Sequence, residues 1–110
     1  MEKHNNLFFT TINANNELVV FDTNGQYQND IGKVGRGPDE YSRATKFAVD
    51  KNNKTILILD RNRLLFYTFR GKMIKSYNLD IFETNFDDIE FFNDKIYLFE
   101  GISYGEAKYD

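Results

Sequence analysis

The stretch LVVFDTNGQYQNDI, from Leu18 to Ile31, returns 46 positions later as LLFYTFRGKMIKSYNL, from Leu64 to Leu79, with Leu18 over Leu64 and Gly25 over Gly71. FAVDKNNKTILILD (Phe47 to Asp60) lies over IEFFNDKIYLFE (Ile89 to Glu100) once its turn is shortened by two residues. LFFTT (Leu7 to Thr11) lies over ILILD (Ile56 to Asp60) at a spacing of 49, with a following turn three residues longer in the first copy. A chain that repeats one small unit in this way folds by stacking copies, because one copy alone cannot cover its own apolar side.

Each unit reads as strands divided by turn formers. Leu7–Ile12, Leu18–Phe21 and Gln26–Ile31 are separated by Asn13-Ala-Asn-Asn16 and Asp22-Thr-Asn-Gly25. Lys46–Val49, Thr55–Leu59, Leu64–Phe69 and Met73–Leu79 form a full unit, and Asp87–Phe92 with Lys95–Phe99 begins another. Four strands in a period of about 40–50 residues predict β-propeller blades. Ile56-Leu-Ile-Leu59 and Leu18-Val-Val-Phe21 are apolar at every position, whereas a strand with one wet face alternates. Such strands need cover on both sides. The last strand of each unit is more polar, as an outer edge should be.

Composition agrees with an all-β chain. Among 110 residues there are seven tyrosines and eleven phenylalanines, which favour strands. A net charge of −3 provides no electrostatic footprint for nucleic acid or anionic lipid. With no cysteine, disulfides and thiolate-bound zinc are excluded. No apolar run is long enough to cross a bilayer as a helix, and Met1–Asn6 lacks the apolar core of a signal peptide.

Between the units lies GKVGRGPDEY, Gly32 to Tyr41, with three glycines, two cations and the only proline. A dinucleotide fingerprint needs Gly-x-Gly-x-x-Gly opening a helix. This loop has the wrong spacing and a strand follows, so it reads as a corner between sheets, with Tyr41–Thr45 as loop or at most one helical turn. Here the residues resemble the NHL-type repeat, and more closely the envelope-associated bacterial six-bladed β-propeller proteins. Those carry G-x-G-P-G-E-Y/F, a "VD" strand, an "I-Y-I-L-D" strand, an "R-I-x-V-F/Y" strand and a "G-K" turn. Gly35, Gly37, Pro38, Glu40 and Tyr41 match the loop, Val49-Asp50 and Leu59-Asp60 the strands, and Gly71-Lys72 the turn. Asp39 stands where the family usually has glycine. The resemblance implies a six-bladed ring and location in the cell envelope or periplasm, although this chain shows no export signal.

Signals for chemistry are sparse. His4, the single histidine, lies in first residues expected to fray, and it has no second histidine with which to share a metal. No serine sits in a nucleophile elbow. Asp80, Glu83, Asp87, Asp88 and Glu90 lack EF-hand spacing and read as a solvated acidic face, and Asp22–Gly25 reads as a hairpin turn rather than a calcium loop. Phe66-Tyr-Thr-Phe-Arg70 with Lys72 and Lys75 reads as core packing rather than a nucleic-acid platform. The inter-unit loop and the turn at Asp60–Arg63 should open on one face, making Arg36, Asp39, Glu40, Tyr41, Arg61 and Arg63 candidates for ligand or partner binding. The plainer alternative has Asp60 capping its turn and the arginines pairing with Asp39 or Glu40.

The expected molecule is all-β, a partial β-propeller of antiparallel four-stranded blades in a single domain over 1–110, with a blade part at 7–31, a full blade at 46–79 and a blade part at 87–100. Its expected role is a non-catalytic binding or scaffold module with a protein or small-molecule ligand, no catalytic or metal residues, and no cofactor. Neither nucleic acid nor membrane insertion is expected. A propeller needs four to eight blades, so these units expect either a longer ring around them or self-association through exposed blade faces. The alternative function is part of a propeller enzyme of metal-dependent lactonase, hydrolase or lyase type. A small closed barrel such as an OB-fold is disfavoured by the repeat.

Overall fold

The computed structural model describes residues 2–4, 7–12, 17–44 and 46–100. Within them lie β1 (Glu2–His4), β2 (Leu7–Ile12), β3 (Glu17–Asp22), β4 (Tyr27–Ile31), β5 (Phe47–Asp50), β6 (Thr55–Asp60), β7 (Arg63–Thr68), β8 (Met73–Asn78), β9 (Phe86–Phe92) and β10 (Lys95–Glu100). One 3₁₀ turn, Asp80–Phe82, leads from β8 towards β9. The strands form three antiparallel sheets: β1-β2-β3-β4, β5-β6-β7-β8 and β9-β10. In each, strand order in space follows chain order, so the sheets are simple meanders. No single closed barrel forms among the described residues.

The 46-residue repeat extends to the hydrogen bonds. Gly25 N donates to Asp22 O at 3.0 Å, and Gly71 N to Thr68 O at 2.9 Å. Asp22 N donates to Gln26 O at 2.9 Å, and Thr68 N to Lys72 O at 2.8 Å. Both glycines have positive φ, +83° and +93°, a region in which other residues are strained. Each hairpin also has one bulge at the same place, between Val20 and Phe21 and between Phe66 and Tyr67. A bulge reverses side-chain facing beyond it, so its recurrence keeps the two sheets alike along their whole length.

Two apolar layers hold the sheets together. Phe9, Leu18, Val20 and Ile31 of the first sheet meet Val49, Ile56, Ile58, Leu65 and Tyr67 of the second. On the reverse side, Ala48, Leu57, Leu59 and Leu64 meet Ile89 of the third, with Phe86, Phe91 and Leu98 packed alongside. The middle sheet is therefore covered twice, and all six residues of β6 are buried. Successive side chains point to opposite faces, so Ile56 and Ile58 serve one layer and Leu57 and Leu59 the other. Each fully buried aliphatic contributes about 1.5–3 kcal/mol. The outer strand β8 is almost wholly exposed, as its polar sequence predicts.

Several expectations need correction. Glu2–His4 is a strand, paired with Leu7–Phe9, so the first unit begins there instead of at 7 and has four strands. Leu7 pairs with Asp22 and Thr55 with Thr68, so with a 46-residue offset in the partner strand Leu7 is level with Thr55. The spacing of that pair is 48, not 49. One residue matters because it exchanges faces: at 48, Phe9 corresponds to Leu57, and both point to the following sheet. Strand β5 begins one residue later than expected and β9 one residue earlier. The turn expected at 13–16 lies outside the described residues, as does Thr45. The acidic residues Asp80, Glu83, Asp87, Asp88 and Glu90 are all exposed.

Candidate ligand-binding face

The loop from Gly32 to Ala44 is a corner braced from within. Gly32 sits at φ +65°, and a Cβ there would stand 2.8 Å from the rings of both Tyr41 and Tyr67. Gly35 N donates to Tyr41 O and Tyr41 N to Lys33 O, each at 3.0 Å. Gly37 N donates to Glu40 Oε1 at 2.9 Å. A side chain at Gly35 would place its Cβ 1.9 Å from the same carboxylate oxygen. The Gly35 and Gly37 amides are thus spent on the loop's own oxygens, one of them a carboxylate oxygen, and do not point at a phosphate.

Strand β7 clamps this loop. Arg63 donates to Pro38 O at 3.3 Å and to Glu40 O at 2.6 Å, while Tyr67 donates its hydroxyl to Asp39 O at 3.0 Å. Three successive carbonyls are thereby held. Asp60, only 3% exposed, pairs with Arg63 at 3.1 Å and accepts from Ser42 N at 2.9 Å. Tyr41 is fully buried; its hydroxyl donates to Ile31 O at 2.5 Å and accepts from Leu18 N at 3.0 Å. Its ring meets Tyr67 edge-on, with centroids 6.1 Å apart. Desolvation pushes both phenols up, Tyr67 to about 12 despite the opposing Arg63 charge.

The six residues singled out from sequence thus divide. Arg36, Asp39 and Arg61 are exposed. Glu40 turns inward, and Tyr41 and Arg63 hold the corner together. Arg63 pairs with the Asp60 carboxylate, not with that of Asp39 or Glu40. In the aromatic–basic stretch Tyr67 is in the core and Phe66 and Phe69 are half-buried, whereas Arg70, Lys72 and Lys75 are exposed, with Lys75 Nζ 4.8 Å from the Phe66 ring centroid.

Beside the corner, where the second and third sheets meet, is a cavity of about 290 Å³. Arg43, Lys46, Leu59, Asp60, Arg61, Phe86 and Asp87 line it. Arg43 and Lys46 carry no sequence signal of their own, since two loop cations beside a strand are ordinary. They come together with Arg61 only because Ser42 N is bonded to Asp60 and Leu59 N donates to Lys46 O at 2.9 Å. No group of three or more His, Cys, Asp or Glu side chains gathers to hold a metal among the described residues.

The fold is similar to the crystal structure of a protein from Bacteroides fragilis NCTC 9343 named "Putative exported protein", with TM-score 0.69 and 27% identity. The match covers 80% of this chain and 25% of that one, so this chain spans about a quarter of its neighbour's length. No curated protein matches the sequence. A family model covers residues 2–109, nearly the whole chain, and the protein belongs to that family, described as a domain of unknown function (DUF4934).

Proposed function

We propose that this chain is a non-catalytic binding or scaffold module, its sheets being successive blades of an NHL-like, six-bladed β-propeller in an exported, envelope-located protein. The observation that carries the reading is the repeated use of one sheet face. Phe9 in the first sheet and Leu57 in the second occupy equivalent positions, and each is covered by the sheet that follows. In the third sheet the positions equivalent to Leu57 and Leu59 are Tyr97 and Phe99, 42% and 45% exposed. A fourth sheet of the same kind would cover them. Six blades of about 40–45 residues make a ring of about 250 residues or more, which agrees with a neighbour several times longer than this chain. Export rests on that neighbour's name alone. A rigid ring with variable corner loops is a scaffold for recognition.

Sedimentation of the 110-residue chain over a range of concentrations tests the stacking. The expected result is self-association, weakened by the double substitution Tyr97→Lys and Phe99→Lys. A wild-type chain that remains a compact monomer at every concentration would sink the blade reading.

A further inference from the structure

We infer that the cavity between the second and third sheets binds the carboxylate of a small organic acid, with Arg43, Lys46 and Arg61 receiving the charge and Leu59 and Phe86 the apolar body. This names a ligand class for the binding role proposed above, yet it requires only the two sheets present here and no further blade. The cavity, about 290 Å³, is large enough for a small acid. Its cations are exposed, and among the described residues none is within ion-pair distance of a carboxylate, the ion pair there being Arg63–Asp60. Three like charges about one hollow repel, and an entering anion relieves that repulsion.

The backbone under each cation is held in advance. Arg43 lies between Ser42, whose amide is bound by Asp60, and Ala44, fully buried in the core. Lys46 is fixed by its carbonyl to Leu59 N. Arg61 sits in the two-residue turn joining the paired residues Asp60 and Arg63, at φ +58°. Glycine would occupy that position with less strain, so the turn keeps a cation at a conformational cost. A site whose groups are already placed loses less entropy on binding. The lining also determines which anion suits it. Asp60 is already paired with Arg63, so among the lining carboxylates only Asp87 offsets the three positive charges, leaving two. The apolar part of the lining makes the distinction: an acid with an apolar body covers Leu59 and Phe86, whereas phosphate has no apolar surface to offer them.

Amide NMR titration of the intact chain at pH 7 provides the test, with phenylacetate, neutral phenylacetamide and inorganic phosphate as probes. Phenylacetate should shift the amides of Arg43, Lys46, Arg61 and Phe86 in saturable fashion, with phenylacetamide and phosphate each binding at least several-fold more weakly. Arg61→Gly should weaken phenylacetate about fivefold, the upper range for one exposed charge pair, while leaving thermal stability unchanged or raised. Lys46→Gln, at an exposed side chain, should weaken it roughly two- to fivefold and carries the same test if Arg61→Gly fails to fold. Equal binding of acid and amide, tighter binding of phosphate, or unchanged affinity in a folded variant would each overturn the assignment. Self-association is read separately by sedimentation, so failure of the stacking and failure of this site remain distinguishable.

Discussion

Tyr41 shows how a single side chain serves two partners at once. Its hydroxyl joins Leu18 N on β3 to Ile31 O on β4 at a buried corner. Tyr41→Phe keeps the ring and leaves both backbone groups without that partner. The expected loss is about 1–3 kcal/mol of unfolding free energy, the cost of stranding a buried polar group, measured by urea denaturation. Tyr41 and Tyr67 also set an alkaline limit. Their phenols are raised in the folded chain, Tyr67 to about 12, mainly by burial. Unfolded tyrosines ionise near 10. Because the fold favours the neutral form, the stabilisation is complete below pH 10 and falls as pH rises from 10 towards 12. Absorbance at 295 nm should show these two phenols ionising together with unfolding, after the exposed tyrosines.

At the scale of elements, the two equivalent hairpins differ in one informative respect. Gly25 and Gly71 both adopt a positive φ and make equivalent turn bonds. A Cβ at Gly25 meets nothing within 4 Å, whereas at Gly71 it would lie 2.1 Å from the backbone oxygen of Asp30. Gly25→Ala should cost about 1–2 kcal/mol, the penalty for left-handed backbone. Gly71→Ala should cost clearly more, since the first sheet stands in the way. Thermal denaturation of the pair checks this, and equal losses would mean that the sheets separate easily at that edge. The third hairpin needs no glycine: Asn93 and Asp94 both take positive φ, as a two-residue turn of the I′ type requires.

For the whole molecule, cohesion passes through the middle sheet. Ile58 packs towards the first sheet and Leu57 towards the third, although they are neighbours in β6. Either residue changed to alanine should cost about 2–5 kcal/mol. The local consequences should differ. Hydrogen exchange should accelerate in β2–β4 for Ile58→Ala and in β9–β10 for Leu57→Ala, as expected where each unit rests only on its neighbours. Uniform acceleration in both variants would point to a single indivisible core.

Strands, hairpins and the two-sided burial of β6 could be read from the residues, because side-chain alternation and turn chemistry are local. Gly25, Gly71 and the run Ile56–Leu59 carry that information within a few positions. The one-residue error in aligning β2 with β6 arose because apolar pattern alone does not reveal which face meets which neighbour. That choice belongs to the packing, as does the clamp of Arg63 and Tyr67 on carbonyls more than twenty residues away. The inward turn of Glu40 and the meeting of Arg43, Lys46 and Arg61 at one hollow follow likewise from where two sheets and a corner touch. Forces of short range become specific only after folding has brought distant residues together.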